Sequence, residues 1–306
     1  MMEWPGGRPG PVTGMITMNA RKFRAPFALV CGLLFAFLSG VPFRAQGRAQ
    51  DQAPAAGPAS DDRLPRILEK AEFYCRRLEK ISLYFVCREE IEEHQFHPPV
   101  RLASPGGSGR GTHVSLAYDY QLVRSGPSIE EKRILLEENG HRRNEPDAPL
   151  KTKLYKHKNL VYGPVGLFGE AWQSRHTYRL LGEDTVDGER VFLVEAAPSG
   201  DAEPSLIYGK VWVRESDFAI LKIEWDQRSL GNFGAIEAMA RAIGHEAEPK
   251  ISIVGTYGIE KNGVRFLSRL TVYEDYDSKV GTVRASQTEV RYKDYRFFIV
   301  ETEVRY

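Results

Sequence analysis

The sequence has almost no net charge, because 42 lysines and arginines stand against 41 aspartates and glutamates in 306 residues. A protein that binds nucleic acid through its phosphates usually has a clear basic excess, so the composition gives no reason to expect a nucleic-acid partner. The basic stretch at 151–158 is typical of the solvated face of an edge strand. Contact with anionic lipid headgroups is the alternative interpretation.

The sequence also lacks the usual signatures of an enzyme. It contains no Gly-x-x-x-x-Gly-Lys loop for phosphate, and the glycine-rich segment 104–111 has neither the lysine nor the spacing. Ser108 follows Gly106 at the right distance, but Arg110 stands where a nucleophile elbow needs glycine. We therefore predict a protein without catalytic residues and without a cofactor.

Cysteine is scarce, with only Cys31, Cys75 and Cys87 in the chain. Cys31 lies at the start of an apolar segment, whereas a lipid-attachment cysteine would lie at its end, so we expect no lipid anchor. Two cysteines in an oxidising compartment more often form a disulfide than remain free. We predict a Cys75–Cys87 disulfide that joins the first helix to the first strand, with half of a metal site as the alternative.

Residues 1–49 have the order of regions found in a secretory signal peptide. Basic residues at 21–24 precede an apolar segment at 25–43, and small residues follow it up to Ala49. A retained membrane anchor is the alternative, although the segment is interrupted and short for a span of about 20 residues. We predict cleavage after Ala49 or Ala45, with Met18 as an alternative start, and a soluble, monomeric periplasmic protein.

After a disordered leader at 50–60, rich in Ala and Pro, we predict a single β domain at 61–306. Apolar residues recur every three or four positions from Asp61 to Ile81, which indicates an amphipathic helix. Short runs of β-branched and aromatic residues follow it. Three dipeptides between such runs favour tight hairpin turns: Asn139-Gly140, Asp187-Gly188 and Asn262-Gly263.

These patterns predict a mainly β fold, in which a strongly curved antiparallel sheet of roughly ten strands forms an open, unclosed barrel. An N-terminal helix and a short inserted helix complete it. Alternation in the segment 220–226 predicts that Leu221, Ile223 and Trp225 share one face of a strand.

A group of possible metal ligands lies near the end of the first strand, where Glu92, Glu93, His94 and His97 occur together. Residues three apart on a strand face opposite sides, so His94 and His97 would not converge on one ion. We interpret the group as a polar strand end and predict no metal site.

Large aromatic residues are distributed over the predicted sheet. On its concave face they would form an apolar groove for an acyl chain, and ordinary core packing is the alternative for each of them. The candidate groove residues are Phe168, Trp172, Phe192, Trp212 and Trp225. The segment 231–245 places Phe233, Ile236 and Ile243 at helical spacing, and we predict that it covers the groove as a lid.

Three segments resemble a known family: Tyr74-Cys75-Arg76-Arg77-Leu78, the strand 208–213 that runs through a turn into 219–224, and Tyr292-Lys293-Asp294-Tyr295-Arg296-Phe297. From about Asp61 onward, the chain resembles the periplasmic outer-membrane lipoprotein carrier superfamily, the LolA and LolB type. The resemblance implies an unclosed antiparallel barrel, capped by helices, whose hydrophobic cavity accepts acyl chains.

We therefore expect a periplasmic module that binds a lipid or an acylated lipoprotein, with a role in outer-membrane lipoprotein sorting. The alternative hypothesis is an interaction or scaffolding protein of the cell envelope, with a filled core and a protein partner.

Overall fold

The computed structural model describes residues 62–96, 111–125, 128–152, 160–200, 206–229, 233–234, 236–237, 248–278 and 281–298. These residues belong to one compact unit, 57–306. The predicted signal segment 1–49, the leader 50–60 and Ile243 of the predicted lid lie outside the described residues. The helices in this part of the chain are too short or too polar to span a bilayer.

The predicted N-terminal helix is confirmed as α1, Arg63–Ser82. One face of it is apolar, and Ile67, Ala71 and Leu78 on that face are almost completely buried. Two short helices come later in the chain, α2 at Gly163–Phe168 and α3 at Glu170–Gln173, directly after a 3-10 turn at Leu160–Tyr162.

Thirteen strands are formed by the described residues. They are β1 Phe85–Gln95, β2 Thr112–Ser125, β3 Ser128–Glu138, β4 His141–Glu145, β5 His176–Val186, β6 Glu189–Pro198, β7 Gly209–Arg214, β8 Ile220–Trp225, β9 Glu248–Thr256, β10 Ile259–Lys261, β11 Val264–Phe266, β12 Arg269–Ser278 and β13 Gly281–Phe297. A 3-10 turn at Gln227–Ser229 follows β8.

Eleven of these strands form one antiparallel sheet in the order β4-β3-β2-β1-β13-β12-β9-β8-β7-β6-β5, and β10 pairs with β11. In the described residues β4 and β5 are edge strands that do not pair with each other, so the sheet stays open. One buried core joins β3, β6 and α1, which shows that the sheet wraps around the helices. The predicted open antiparallel fold is therefore confirmed.

The three predicted hairpin turns are also confirmed. Each dipeptide has positive φ at both residues, for example 49° and 79° at Asn139 and Gly140. Asn-Gly and Asp-Gly favour this conformation, whose twist matches that of the flanking strands. The turns join β3 to β4, β5 to β6, and β10 to β11.

The predicted alternation in β8 is only partly right. Ile223 and Trp225 face the concave core, but Leu221 packs on the outer face with Val191 and Trp212. The pairing of β7 with β8 shifts register at this point, from Trp212 opposite Lys222 to Val213 opposite Ile220. Leu221 is the extra residue of this β-bulge, which turns its side chain outward.

The predicted Cys75–Cys87 disulfide is wrong, because both cysteines are free and buried. The two thiols have different neighbours in the fold. Cys75 on α1 donates a hydrogen bond to the carbonyl oxygen of Pro164 in α2, 3.3 Å away, whereas Cys87 on β1 contacts the hydroxyl of Tyr295. Burial raises the pKa of both thiols, which keeps them in the unreactive protonated form.

Candidate functional site

Helix α2 covers part of the concave face of the sheet, and all six of its residues are buried. Its glycines allow a very close approach to that face. A Cβ atom on Gly163 would lie 2.5 Å from the ring of Trp225, and one on Gly166 would lie 2.7 Å from the side chain of Ile207. The segment from Gly163 to Phe168 therefore fits the sheet only because glycine has no side chain.

Two tyrosines bind carbonyl oxygens of α2 and of the 3-10 turn before it. Tyr257 donates its hydroxyl to the Leu160 carbonyl at 3.0 Å, and Tyr178 donates to the Leu167 carbonyl at 2.5 Å. Burial raises the pKa of both phenols, so they remain donors. Each of these bonds contributes only about 1 kcal/mol to stability.

A cleft of about 430 Å³ opens between α1 and the pair α2–α3. Charged residues of α1 line one side of the cleft, and mostly apolar residues from the 3-10 turn to α3 line the other. The lining residues are Glu72, Arg76, Glu79, Tyr162, Val165, Gly169, Glu170, Ala171 and Trp172. Arg76 spans the mouth, with its guanidinium 2.7 Å from Glu72 and 3.8 Å from Glu170. Ion pairs of an exposed arginine contribute little to stability.

Beneath α2 lies a polar atom without a partner. The indole nitrogen of Trp225 is buried and has no hydrogen-bond partner within the described part of the chain. The residue as a whole is 3% exposed. A buried N–H group without an acceptor is unfavourable by roughly 1–3 kcal/mol, which makes it a marker for a bound group that would accept from it.

The structure does not bring the five candidate groove residues into one groove. Phe168 and Trp225 lie in the core on the concave side, and Phe192 packs against the same core while staying partly exposed. Trp172 lies at the cleft between the helices. Phe168 is part of α2, and Trp225 and Trp172 lie next to it, whereas the neighbours of Phe192 are Phe218 and Arg63.

Trp212 lies on the outer face of the sheet because it alternates with Val211 and Val213, which are both in the core. Its ring stacks under the ammonium of Lys222, 3.9 Å from the ring centroid. Its indole N–H donates to Asp184 at 2.9 Å. A sheet face opposite the core cannot contribute to a groove inside it.

The predicted lid is partly described. Phe233 is buried in the core, and Ile236 packs against it while partly exposed; Ile243 lies outside the described residues. The segment that covers the concave face, α2, was missed by sequence reasoning. Its only signal is the triple glycine spacing at Gly163, Gly166 and Gly169 within an apolar run.

The other half of the concave face carries a buried ionic network that the sequence did not reveal. The guanidinium of Arg133 donates to both carboxylate oxygens of Glu89, at 2.6 and 3.0 Å, and to Glu131 at 2.9 Å. The hydroxyls of Tyr292 and Tyr120 donate to Glu89 and Glu131, each at 2.9 Å. Burial raises the pKa of Glu89 despite these partners.

Next to this network the interior is filled by aromatic rings. Phe85 lies at the centre, with ring centroids 4.9 Å from Tyr295, 5.5 Å from Phe266 and 6.1 Å from Phe297. Rings at these separations pack directly against one another. The interior beneath β1 is therefore filled by its own side chains.

The predicted polar strand end separates into two faces. Glu93 points inward and is 1% exposed, whereas Glu92 and His94 point outward. His97 lies outside the described residues.

Substitution of Gly163 tests how closely α2 fits the sheet. We expect Gly163→Ala to lower the free energy of unfolding by about 1–3 kcal/mol, because the new methyl group must displace the Trp225 ring or the helix. Urea unfolding measures the change. Gly200→Ala is the matched control, since Gly200 has open space around it and its substitution should change stability by less than about 0.5 kcal/mol. Equal effects of the two variants would contradict the tight fit.

No protein-family model matches the sequence, and no curated protein matches it. Among solved structures, the fold is similar to a DUF1329 family protein from Desulfovibrio piger, with 10% identity, a TM-score of 0.38, and coverage of 79% of this chain and 96% of that one. It is also similar to an outer membrane lipoprotein-sorting protein domain from Vibrio parahaemolyticus, with 12% identity, a TM-score of 0.39, and coverage of 77% and 94%.

A third similar structure is a LolA superfamily protein from Nitrosomonas europaea, with 14% identity, a TM-score of 0.33, and coverage of 78% of this chain and 94% of that one.

Proposed function

We propose that this protein is a non-enzymatic binding protein of the cell envelope that holds an acyl chain beneath α2, on the concave face of the sheet. The cleft between α1 and the pair α2–α3 is the entrance, and α2 is the segment that moves. The bound molecule is a lipid or the acylated end of a lipoprotein.

The unpaired indole N–H of Trp225 is the observation that carries this proposal. An acyl chain brings an apolar tail together with an ester, amide or carboxylate oxygen. The tail would replace the contacts that α2 makes with Trp225 and Ile207, and the oxygen would accept from the indole. A ligand of this kind satisfies both the apolar surface and the single polar atom.

The volume and the lining of the entrance agree with this ligand. The cleft of about 430 Å³ lies within the range of roughly 300–1,000 Å³ that is usual for sites of small organic ligands. Its apolar residues, Val165 and Trp172, lead toward α2, while Arg76 and Glu170 remain at the solvent side. An acyl chain would enter past these charges, and its ester, amide or carboxylate oxygen would reach the indole of Trp225.

The sequence supports a place in the envelope. Its first 49 residues have the order of a secretory signal, and its later segments resemble lipoprotein carriers. We include in the proposal a cleaved signal peptide, a periplasmic location, a monomeric state and a role in lipoprotein sorting.

A second candidate function is an envelope scaffolding protein with a filled interior. The aromatic packing around Phe85 favours it, because that half of the core leaves its rings in mutual contact. In that case a protein partner would bind to the outside of the sheet.

Mass spectrometry of the natively purified protein distinguishes the two functions. We expect a lipid or fatty acid to co-purify, and a fluorescent fatty-acid probe to bind once the lipid is extracted. A lipid-free protein that also fails to take up the probe would contradict the acyl-chain proposal and favour the scaffold.

Blocking the entrance should prevent uptake without disturbing the core. Ala171 lines the cleft and is exposed, so Ala171→Trp should weaken binding of the fluorescent fatty acid by at least about tenfold, or 1.4 kcal/mol. Ser174→Trp is the matched control, since Ser174 is exposed just beyond α3 and outside the cleft lining. Unchanged probe binding in Ala171→Trp would show that the ligand enters elsewhere.

A further inference from the structure

We propose that Glu92, His94 and His113 form a binding site for a divalent transition-metal ion of the Zn²⁺ type on the outer face of the sheet. One ligand atom from each of the three side chains lies within 4.8 Å of the other two. The site is on the face opposite α2, so it is independent of the proposed acyl-chain site.

Strand pairing brings the three side chains together. His94 on β1 is directly opposite His113 on β2, and Glu92 precedes His94 by two residues. Residues two apart on a strand share a face, and directly opposite residues have Cβ atoms only about 5 Å apart. The ladder therefore holds a Glu-x-His pair beside a third ligand without any contribution from loops.

Neighbouring groups orient the ligands. Ser115 donates its hydroxyl to one oxygen of Glu92 at 2.9 Å, which leaves the other oxygen 2.5 Å from Nε2 of His113. The rings of His94 and His113 stack with centroids 4.4 Å apart and 23° between their planes. Such second contacts fix the direction of ligand side chains in metal sites.

A metal ion would fit with small side-chain movements. Zn²⁺ lies about 2.0–2.2 Å from imidazole nitrogen and carboxylate oxygen, so ligands of a tetrahedral site are roughly 3.3 Å apart. The present spacings, from 2.5 Å to at most 4.8 Å, bracket that value. The ion would replace the hydrogen bond between Glu92 and His113.

Two other acidic side chains near the site are paired with cations. Glu289, which is opposite Glu92 on β13, contacts Arg291 at 2.8 Å and Arg269 at 3.3 Å. Glu90 contacts Lys293 at 2.8 Å. Glu92 is therefore the carboxylate of this face that has an oxygen directed at the histidines.

The ligand set selects the class of ion. Two imidazoles and one carboxylate suit Zn²⁺ and its neighbours Cu²⁺, Ni²⁺ and Co²⁺, whereas Ca²⁺ and Mg²⁺ require more oxygen ligands. Three protein ligands leave the fourth position to water or to a donor from another molecule, which makes the ion exchangeable.

Titration of the full-length, metal-free protein with Zn²⁺ alone, followed by calorimetry, tests the site. We expect one ion per chain, a Co²⁺ absorption spectrum typical of nitrogen and oxygen ligands, and no binding of Ca²⁺. His94→Ala, His113→Ala and Glu92→Gln should each weaken Zn²⁺ binding by at least about tenfold, because even loss of a supporting residue has an effect of that size.

His141→Ala is the matched control, since His141 is an exposed histidine on another strand, β4, and its loss should leave Zn²⁺ binding unchanged. Circular dichroism checks that every variant is folded, and Glu92→Gln, a nearly isosteric change, tests the site even where a histidine variant unfolds. Zn²⁺ binding that is the same in all four variants and in the unaltered protein would overturn the proposal. Fatty-acid probe binding is expected to be unaffected by these substitutions, so it reports separately on the proposed acyl-chain site.

Discussion

Arg133→Met is expected to lower the free energy of unfolding by about 3–5 kcal/mol, the usual effect of removing one partner from a buried ion pair. The Arg133 side chain is 6% exposed, and it faces Glu89 at 0% and Glu131 at 6%. Methionine fills a similar volume but neutralises neither carboxylate. Glu89 would then stay buried without the guanidinium that neutralises it, and urea unfolding measures the loss.

The loss should depend on pH. Burial raises the pKa of Glu89, and removal of the guanidinium raises it further. A carboxyl whose pKa is higher in the folded than in the unfolded state binds more protons when folded, so stability falls as pH rises. We expect the deficit of Arg133→Met to be larger at about pH 8 than at about pH 5, where Glu89 is more fully protonated.

The double variant Glu89→Gln with Arg133→Met controls for lost packing. This variant removes the negative charge of Glu89, which Arg133 no longer neutralises. It should therefore recover a substantial part of the stability lost in the single variant. If Arg133→Met lowers the free energy of unfolding by less than about 1 kcal/mol, the network contributes little to stability.

Phe168→Ala is expected to destabilise the protein by about 3–5 kcal/mol, because a fully buried aromatic side chain leaves a cavity when it is truncated. Phe168 is 0% exposed and stacks on Tyr178 with ring centroids 5.7 Å apart. Thermal unfolding measures the loss. If the proposed function is right, a saturating fatty acid should restore part of the melting temperature, since a ligand that binds only the folded state stabilises it.

Trp172→Ala provides the contrast. Trp172 is only partly buried at the cleft and contacts Arg175 by a cation–π interaction at 5.1 Å. Its truncation should therefore lower the free energy of unfolding by only about 1 kcal/mol. Fatty-acid binding should nevertheless weaken, because the side chain lines the entrance. Equal stability losses in the two variants would contradict the distinction between core residue and entrance residue.

Local sequence patterns predicted those elements of the fold that depend on one short-range effect. The spacing of Leu64, Leu68 and Ala71 is enough to predict α1, since burial of one helical face requires that period. Asn139-Gly140 predicts a hairpin because few other residues adopt positive φ in succession. Neither inference depends on the rest of the molecule.

The candidate site was less predictable, since it depends on contacts between distant segments. The triple glycine spacing of α2 has meaning only once Trp225 and Ile207 are placed against it. The cluster of Glu92, His94 and His113 was not recognised for a related reason, because Glu92 and His94 lie on one strand, while His113 comes from the neighbouring one.

The near-neutral charge, the absence of catalytic signatures and the succession of helix, strands and tight turns follow from the sequence alone, because composition and short-range sterics determine them. The tertiary structure decided that Cys75 and Cys87 remain apart as free thiols, that Trp212 faces outward, and that a buried Arg133 lies between two carboxylates. These features depend on strand register and on which face each strand buries. A shift of one residue, as at Leu221, reverses the face of a side chain without any change in its local sequence pattern.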